Sequence, residues 1–232
     1  MTDTSPHSTP APDPRDKMKY SFTDTPQRWA LIALARTLFA LIMNIEVEGA
    51  GNLPREGAVI LAANHVTNFD VFPMQFALLR VIFFMGKAGL FRNPITGLLI
   101  RNLGGFPVNR GGKDHWAMDH ALKVLRNGQV LGMFLEGTRS PGGGLSVART
   151  GTARLAIEAG CPILPLTILG PDQFFRRFPR RTRVLITLLP PLTPERDENP
   201  LALTDRLMFT LARALPEEER GVYAALPKGF GG

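Results

Sequence analysis

The residues whose types and spacing could move a proton are His65 and Asp70 in LAANHVTNFD, residues 61–70, where an apolar run passes straight into polar side chains. Ligands and catalytic groups of α/β domains collect just past the carboxyl ends of strands. A carboxylate behind a histidine fixes the ring tautomer and stabilises the imidazolium, and the far ring nitrogen then takes a proton from a hydroxyl. On a regular helix, residues five apart point roughly 140° away from each other. The pair therefore meets only if a turn or a helix start lies between them, and Thr67 and Asn68 suit that turn or cap. The plainer alternative makes Asp70 a helix-terminus charge and His65 a loop residue, each satisfied locally.

Two further stretches carry groups suited to a phosphorylated, hydroxylated ligand. In NLGGFPVNRGG (102–112) glycines permit close backbone approach, and Arg110 follows a short extended run with a phosphate-shaped fork. It is not a P-loop, because Pro107 and Asp114 stand where Gly and Ser or Thr are needed. In MFLEGTRS (133–140) a strand runs into Glu136, Gly137, Thr138 and Arg139, which together can hold hydroxyls and phosphate or can form a self-satisfied turn. The stretch FFRRFPRRTR (174–183) interleaves arginine with phenylalanine. It reads as a solvated loop, as an anionic-lipid contact, as a nucleic-acid contact, or as a site for the phosphates of an acyl donor.

Cysteine and histidine usage narrows the chemistry. The one cysteine, Cys161, excludes an intrachain disulfide and any cysteine-cluster metal site, and its place before proline suggests a buried inert thiol. His115 and His120 are five apart on a predicted helix and do not share a face, so no metal site is expected. The net charge is +7, and 21 of the 27 cationic side chains are arginine, which points to phosphate-bearing or anionic partners.

The elements that must position these groups are legible as alternating signals. Strands are expected at 57–63, 81–85, 106–108, 130–135, 162–169 and 183–189, and helices at 71–79, 94–103, 113–126, 150–159 and 199–214. Such alternation predicts a single α/β domain with a mostly parallel central sheet flanked by helices, over residues 46–215. Residues 1–24 read as a flexible Pro/Ser/Thr/Asp tail without a signal-peptide core, and 216–232 as a helix remnant with a frayed, glycine-rich end. Residues 25–45 read as an apolar helix interrupted by Arg36: a buried helix, an interfacial membrane helix with Arg28 and Arg36 snorkelling while Trp29, Leu31 and Phe39 embed, or a span.

Taken in order, NHVTNFD, GGFPVNR, FLEGTRS and CPILPL resemble the four motifs of the glycerolipid acyltransferase family, over roughly residues 45–190. Leu135 stands where that family usually has proline, Asn109 where it often has aspartate, and Gly89 where a Lys-x-Glu motif has glutamate. The resemblance implies acyl transfer from acyl-CoA or acyl carrier protein to the free hydroxyl of 1-acyl-glycerol 3-phosphate, with no cofactor and no metal. It makes His65 and Asp70 the catalytic pair. It assigns Arg110, Arg139 and, as a weaker candidate, Lys87 to the phosphate, Glu136 to positioning a hydroxyl, Gly137 to close approach and Thr138 to the substrate site. Because the substrate is a lipid, it implies a peripheral protein on the cytoplasmic face of a bacterial-type inner membrane. An anionic surface would be met by helix 26–45 and loop 174–183. Competing readings are another acceptor lipid, or a catalytically silent membrane-binding protein on this scaffold. A nucleic-acid partner is not expected, since it leaves NHVTNFD and FLEGTRS unexplained.

Overall fold

Strands buried on both faces need apolar side chains at successive positions, and the runs VILAA and ILPLTIL satisfy that in the middle of the molecule. In the computed structural model, which describes residues 13–22, 25–67, 70–78, 80–109, 112–137, 144–173 and 180–225, the strands are β1 (Met43–Glu48), β2 (Val59–Ala63), β3 (Ile82–Lys87), β4 (Gly105–Val108), β5 (Val130–Phe134), β6 (Ile163–Leu169) and β7 (Thr182–Leu188). They form one sheet in the order β1-β7-β6-β2-β5-β3-β4. Neighbours are parallel except for β6 and β7. The five strands from β6 to β4 therefore share one carboxyl edge, and the mostly parallel α/β expectation holds.

The helices are α1 (Pro26–Ile42), α2 (Val71–Ala77), α3 (Pro94–Asn102), α4 (His115–Arg126), α5 (Gly151–Ala159) and α6 (Pro200–Ala214). Alternate strand residues separate the two faces of the sheet. Ile60, Ala62, Phe83 and Leu131 pack under α4, α5 and α6 through Val124, Ala156 and Leu207. Val59, Leu61, Ala63, Ile82 and Val130 face the other way, onto Met74 and Leu78 of the α2 region. Next to them, Ile32, Phe76, Phe84 and Leu103 gather α1, α2, β3 and the end of α3 into a smaller cluster.

The N-terminal region differs from expectation in three ways. The helix predicted over 25–45 stops at Ile42, and Met43–Glu48 is a strand paired with β7. The alternation of Asn44, Ile45, Glu46, Val47 and Glu48 is a two-residue period, which suits an edge strand and not a helix. Residues 13–22 lie against the domain, where Asp13 caps the short turn Pro14–Lys17, Arg15 pairs with Asp114 at 2.6 Å over the Trp116 ring, and Phe22 stacks on Phe83.

The arginines of α1 do not snorkel. Arg28 is buried with its guanidinium 4.1 Å over Phe22. Arg36 donates to the Phe76 carbonyl at 2.9 Å, neutralising the carboxyl end of α2. Phe39 packs between Phe72 and Phe76. The outward face instead carries Trp29, Leu34, Leu38 and Leu41, each between 52% and 66% exposed. Among the described residues no helix is long and apolar enough to cross a membrane.

Candidate active site

The end of β2 is held in place before the first reactive side chain appears. Asn64 accepts from the Ile168 amide at 2.8 Å and donates to the Ile168 carbonyl at 3.0 Å, so its side chain continues the pairing of β2 with β6. The next residue, His65, is thereby delivered at the carboxyl edge. Its ring stacks on Phe134, the last residue of β5, with centroids 4.0 Å apart.

Asp70, fully buried at the start of α2, is the hub of the turn. Its Oδ2 accepts from the amides of Val66 at 2.7 Å and Thr67 at 2.9 Å, and lies 2.9 Å from His65 Nδ1. Its Oδ1 accepts from the Thr67 hydroxyl at 2.8 Å. A turn through Thr67 thus brings together two residues that one helix would hold apart. Asn68, the other expected turn residue, lies outside the described residues. The carboxylate can only accept, so Nδ1 carries the proton and Nε2 keeps its lone pair, and His65 lines the cleft. This is the arrangement of a general base.

Glu136 is buried one turn beyond β5, and its Oε1 accepts from the His65 amide at 3.4 Å. Its Oε2 accepts from the amide of Ser146 at 3.1 Å and from its hydroxyl at 2.6 Å. Glu136 lines the cleft, and both of its oxygens also brace the loops of the site. Leu135, standing where proline is usual in the resembling family, donates its amide to Ala63 at 3.2 Å, a bond proline could not make. Gly137 has φ +68°, a left-handed conformation that favours glycine.

Among the cationic candidates, Lys87 ends β3, exposed at the same carboxyl edge. Arg110, Thr138 and Arg139 lie outside the described residues. Their neighbours Asn109 and Gly137 follow β4 and β5 at that edge, and Asp114 holds the Asn109 amide at 2.8 Å. Sequence reasoning missed Arg149. Its side chain passes over Gly137, such that a Cβ on that glycine would fall 3.1 Å from Arg149 Cδ and Nε. It is exposed, and its amide is held by the Leu135 carbonyl at 3.0 Å. No motif marked it, because its place depends on the loop folding back.

The remaining candidates sit elsewhere. Cys161 is buried, and its thiol is pushed up to about 11 by burial, which makes it inert at neutral pH. His120 is buried against Trp116 with Nε2 3.2 Å from the Lys19 carbonyl, and burial holds its pKa below the usual histidine range. Of the Arg/Phe stretch 174–183, residues 174–179 lie outside the described residues. Arg181 donates to the Met43 carbonyl at 3.2 Å and Arg183 pairs with Glu46 at 2.7 Å.

Comparison with known proteins converges on the same stretch, since the Acyltransferase family model matches residues 44–169. The chain belongs to the acyltransferase family. It is 34% identical over 137 residues to a 1-acyl-sn-glycerol-3-phosphate acyltransferase of Borreliella burgdorferi, covering 57% of this chain and 54% of that protein. A protein of the same name from Bacillus subtilis is 26% identical over 145 residues, covering 60% of this chain and 69% of that one. The chain thus spans about half the length of the Borreliella relative. The crystal structure of the 1-acyl-sn-glycerophosphate acyltransferase PlsC from Thermotoga maritima shares the fold, with a TM-score of 0.65 at 24% identity over 81% of this chain and 78% of that one. The matched residues contain the turn from His65 to Asp70 as well as Glu136 and Gly137.

Proposed function

We propose that this chain transfers a fatty acyl group from a thioester donor to the free hydroxyl of 1-acyl-glycerol 3-phosphate, giving phosphatidate. The observation that carries the reading is the 2.9 Å contact of His65 Nδ1 with the buried, fully hydrogen-bonded Asp70, in a cleft of an acyltransferase fold. The names of the relatives support the acceptor. His65 Nε2 takes the proton of the glycerol hydroxyl as its oxygen attacks the thioester carbonyl. The tetrahedral intermediate collapses with the C–S bond breaking, and the imidazolium returns the proton to the thiolate. The substrate hydroxyl is the nucleophile, so the protein supplies no covalent intermediate, and the reaction as written uses neither a metal nor a cofactor. Acyl-CoA and acyl carrier protein both supply the thioester. Lys87, Arg110, Arg139 and the newly placed Arg149 are the cations for the phosphate, and Thr138 stands among them in the sequence.

The test is to incubate the protein with oleoyl-CoA and lysophosphatidate in mixed micelles and identify the product by mass spectrometry. Phosphatidate is expected; an unacylated acceptor with either donor class would contradict the reading. In the same assay Arg149→Ala should raise KM for lysophosphatidate about tenfold, as loss of a charge-assisted phosphate contact would. An unchanged KM would remove Arg149 from the phosphate site.

The lipid substrate also requires the cleft to reach a bilayer, and the outward face of α1 suits peripheral docking. Trp29, Leu34, Leu38 and Leu41 supply apolar surface there, and the protein's positive charge suits anionic lipid on a cytoplasmic face. Replacing Leu34 and Leu38 together by glutamate should abolish co-flotation with phosphatidylglycerol vesicles while leaving the thermal midpoint near wild type, because both side chains are exposed. Flotation equal to wild type would move the docking surface off α1.

A further inference from the structure

The strand order places β2, and with it His65, between β6 on one side and β5, β3 and β4 on the other. The β5–β3–β4 side of the carboxyl edge carries Arg149 over Gly137, and Lys87. The β6 side carries acidic residues. Asp172 follows β6, and Glu218 and Glu219 follow α6, which packs on β6, all outside the stretch matched by the family. Glu219 lines the cleft together with Asn64, His65, Val66 and Glu136.

This acidic wall is anchored. The Glu219 carbonyl accepts from the Leu145 amide at 3.0 Å, the Leu145 carbonyl accepts from the Val222 amide at 3.0 Å, and the Tyr223 hydroxyl accepts from the Ala148 amide at 3.3 Å. Gly221 has φ +53°, and a Cβ there would run into the Leu145 carbonyl. The same loop carries Ser146, which holds Glu136 and through it the His65 amide. Burial first, and then the charges of Asp172 and Glu218, hold the Glu219 carboxyl above the usual carboxylate range. Among the described cations, Arg220 donates to the Leu215 carbonyl, Arg181 to the Met43 carbonyl, and Arg183 to Glu46.

We infer that Glu219 is a specificity-determining residue whose carboxylate repels the acceptor's phosphate from the β6 side of the cleft, fixing which way round the glycerol unit lies before His65. The inference rests on the proposed acceptor. Removing the charge admits the reversed, unproductive pose, and unproductive binding lowers kcat and KM together. Glu219→Gln is therefore expected to lower both constants for lysophosphatidate by about two- to fivefold, the size of one partly exposed charge interaction, with kcat/KM staying within about twofold. Glu219→Asp, which keeps the charge, should restore values near wild type, and raising the salt should shrink the difference between wild type and Glu219→Gln.

A fall in kcat with KM unchanged, or a KM that rises, would overturn the electrostatic role and leave Glu219 a structural residue. So would a Glu219→Asp variant that behaves like Glu219→Gln. Failure of the wild type to acylate lysophosphatidate would overturn the parent reading and this inference with it. Turnover with identical constants in wild type and Glu219→Gln would overturn the inference alone.

Discussion

His65→Ala should lower kcat by about 10²–10⁴-fold, the usual contribution of a positioned general base, with KM for lysophosphatidate changed little. The effect is expected in kcat because the ring meets the hydroxyl proton in the transition state, while the phosphate is held by other residues. The fold should survive. In the variant Asp70 still accepts from the Val66 and Thr67 amides and the Thr67 hydroxyl, so no buried charge is left bare. Steady-state kinetics alongside thermal unfolding checks both halves. Turnover near wild type in a folded variant would remove His65 from the chemistry.

Asp70→Asn isolates the charge from the geometry. The amide can keep its oxygen toward His65 Nδ1 and the two backbone amides and turn its nitrogen to the Thr67 hydroxyl, which accepts as readily as it donates. The ring stays in place, but the imidazolium loses its counter-charge. A fall in kcat of about 10²-fold or more is expected. The double variant with His65→Ala should be little slower than His65→Ala alone, because the two residues act as a unit. A double variant slower by the product of the single effects would mean that Asp70 contributes independently of His65.

The contact of His65 with Asp70 was legible as a possibility because both lie within one short stretch. A buried strand ends, polar residues follow, and a turn former sits between them, so local rules allowed the contact, and the family resemblance singled the pair out. The central strands were legible for a similar reason, since five parallel strands sharing an edge demand continuous apolar runs. Edge strand β1 was not. Its alternation begins directly after an apolar helix, and the pairing partner that selects strand over helix, β7, lies far away in the chain. Arg36 looked like a charge stranded in an apolar run because the carbonyl end of α2 that it neutralises is remote in sequence.

Glu136, Arg149 and Glu219 mark the other boundary of what the chain reveals by itself. The motif containing Glu136 was readable, but its contacts to His65 and Ser146 were not, because those residues come from separate loops. Arg149 and Glu219 enter the site only through tertiary folding, one by crossing Gly137 and the other by the pinning of the C-terminal segment to Leu145. Neither belongs to a pattern of spacing, so no local rule could have singled them out.

The central claim, that the acceptor hydroxyl attacks the thioester with His65 as base, is tested most directly by following free thiol from oleoyl-CoA, or from oleoyl-acyl carrier protein, with a colour reagent. Cys161 is buried with its thiol pushed up to about 11, so the native protein adds little background to the reagent. Wild type and His65→Ala are compared with and without lysophosphatidate. The account predicts thiol release only when wild-type protein and lysophosphatidate are both present. Equal release without the acceptor, or equal release from His65→Ala, would contradict it.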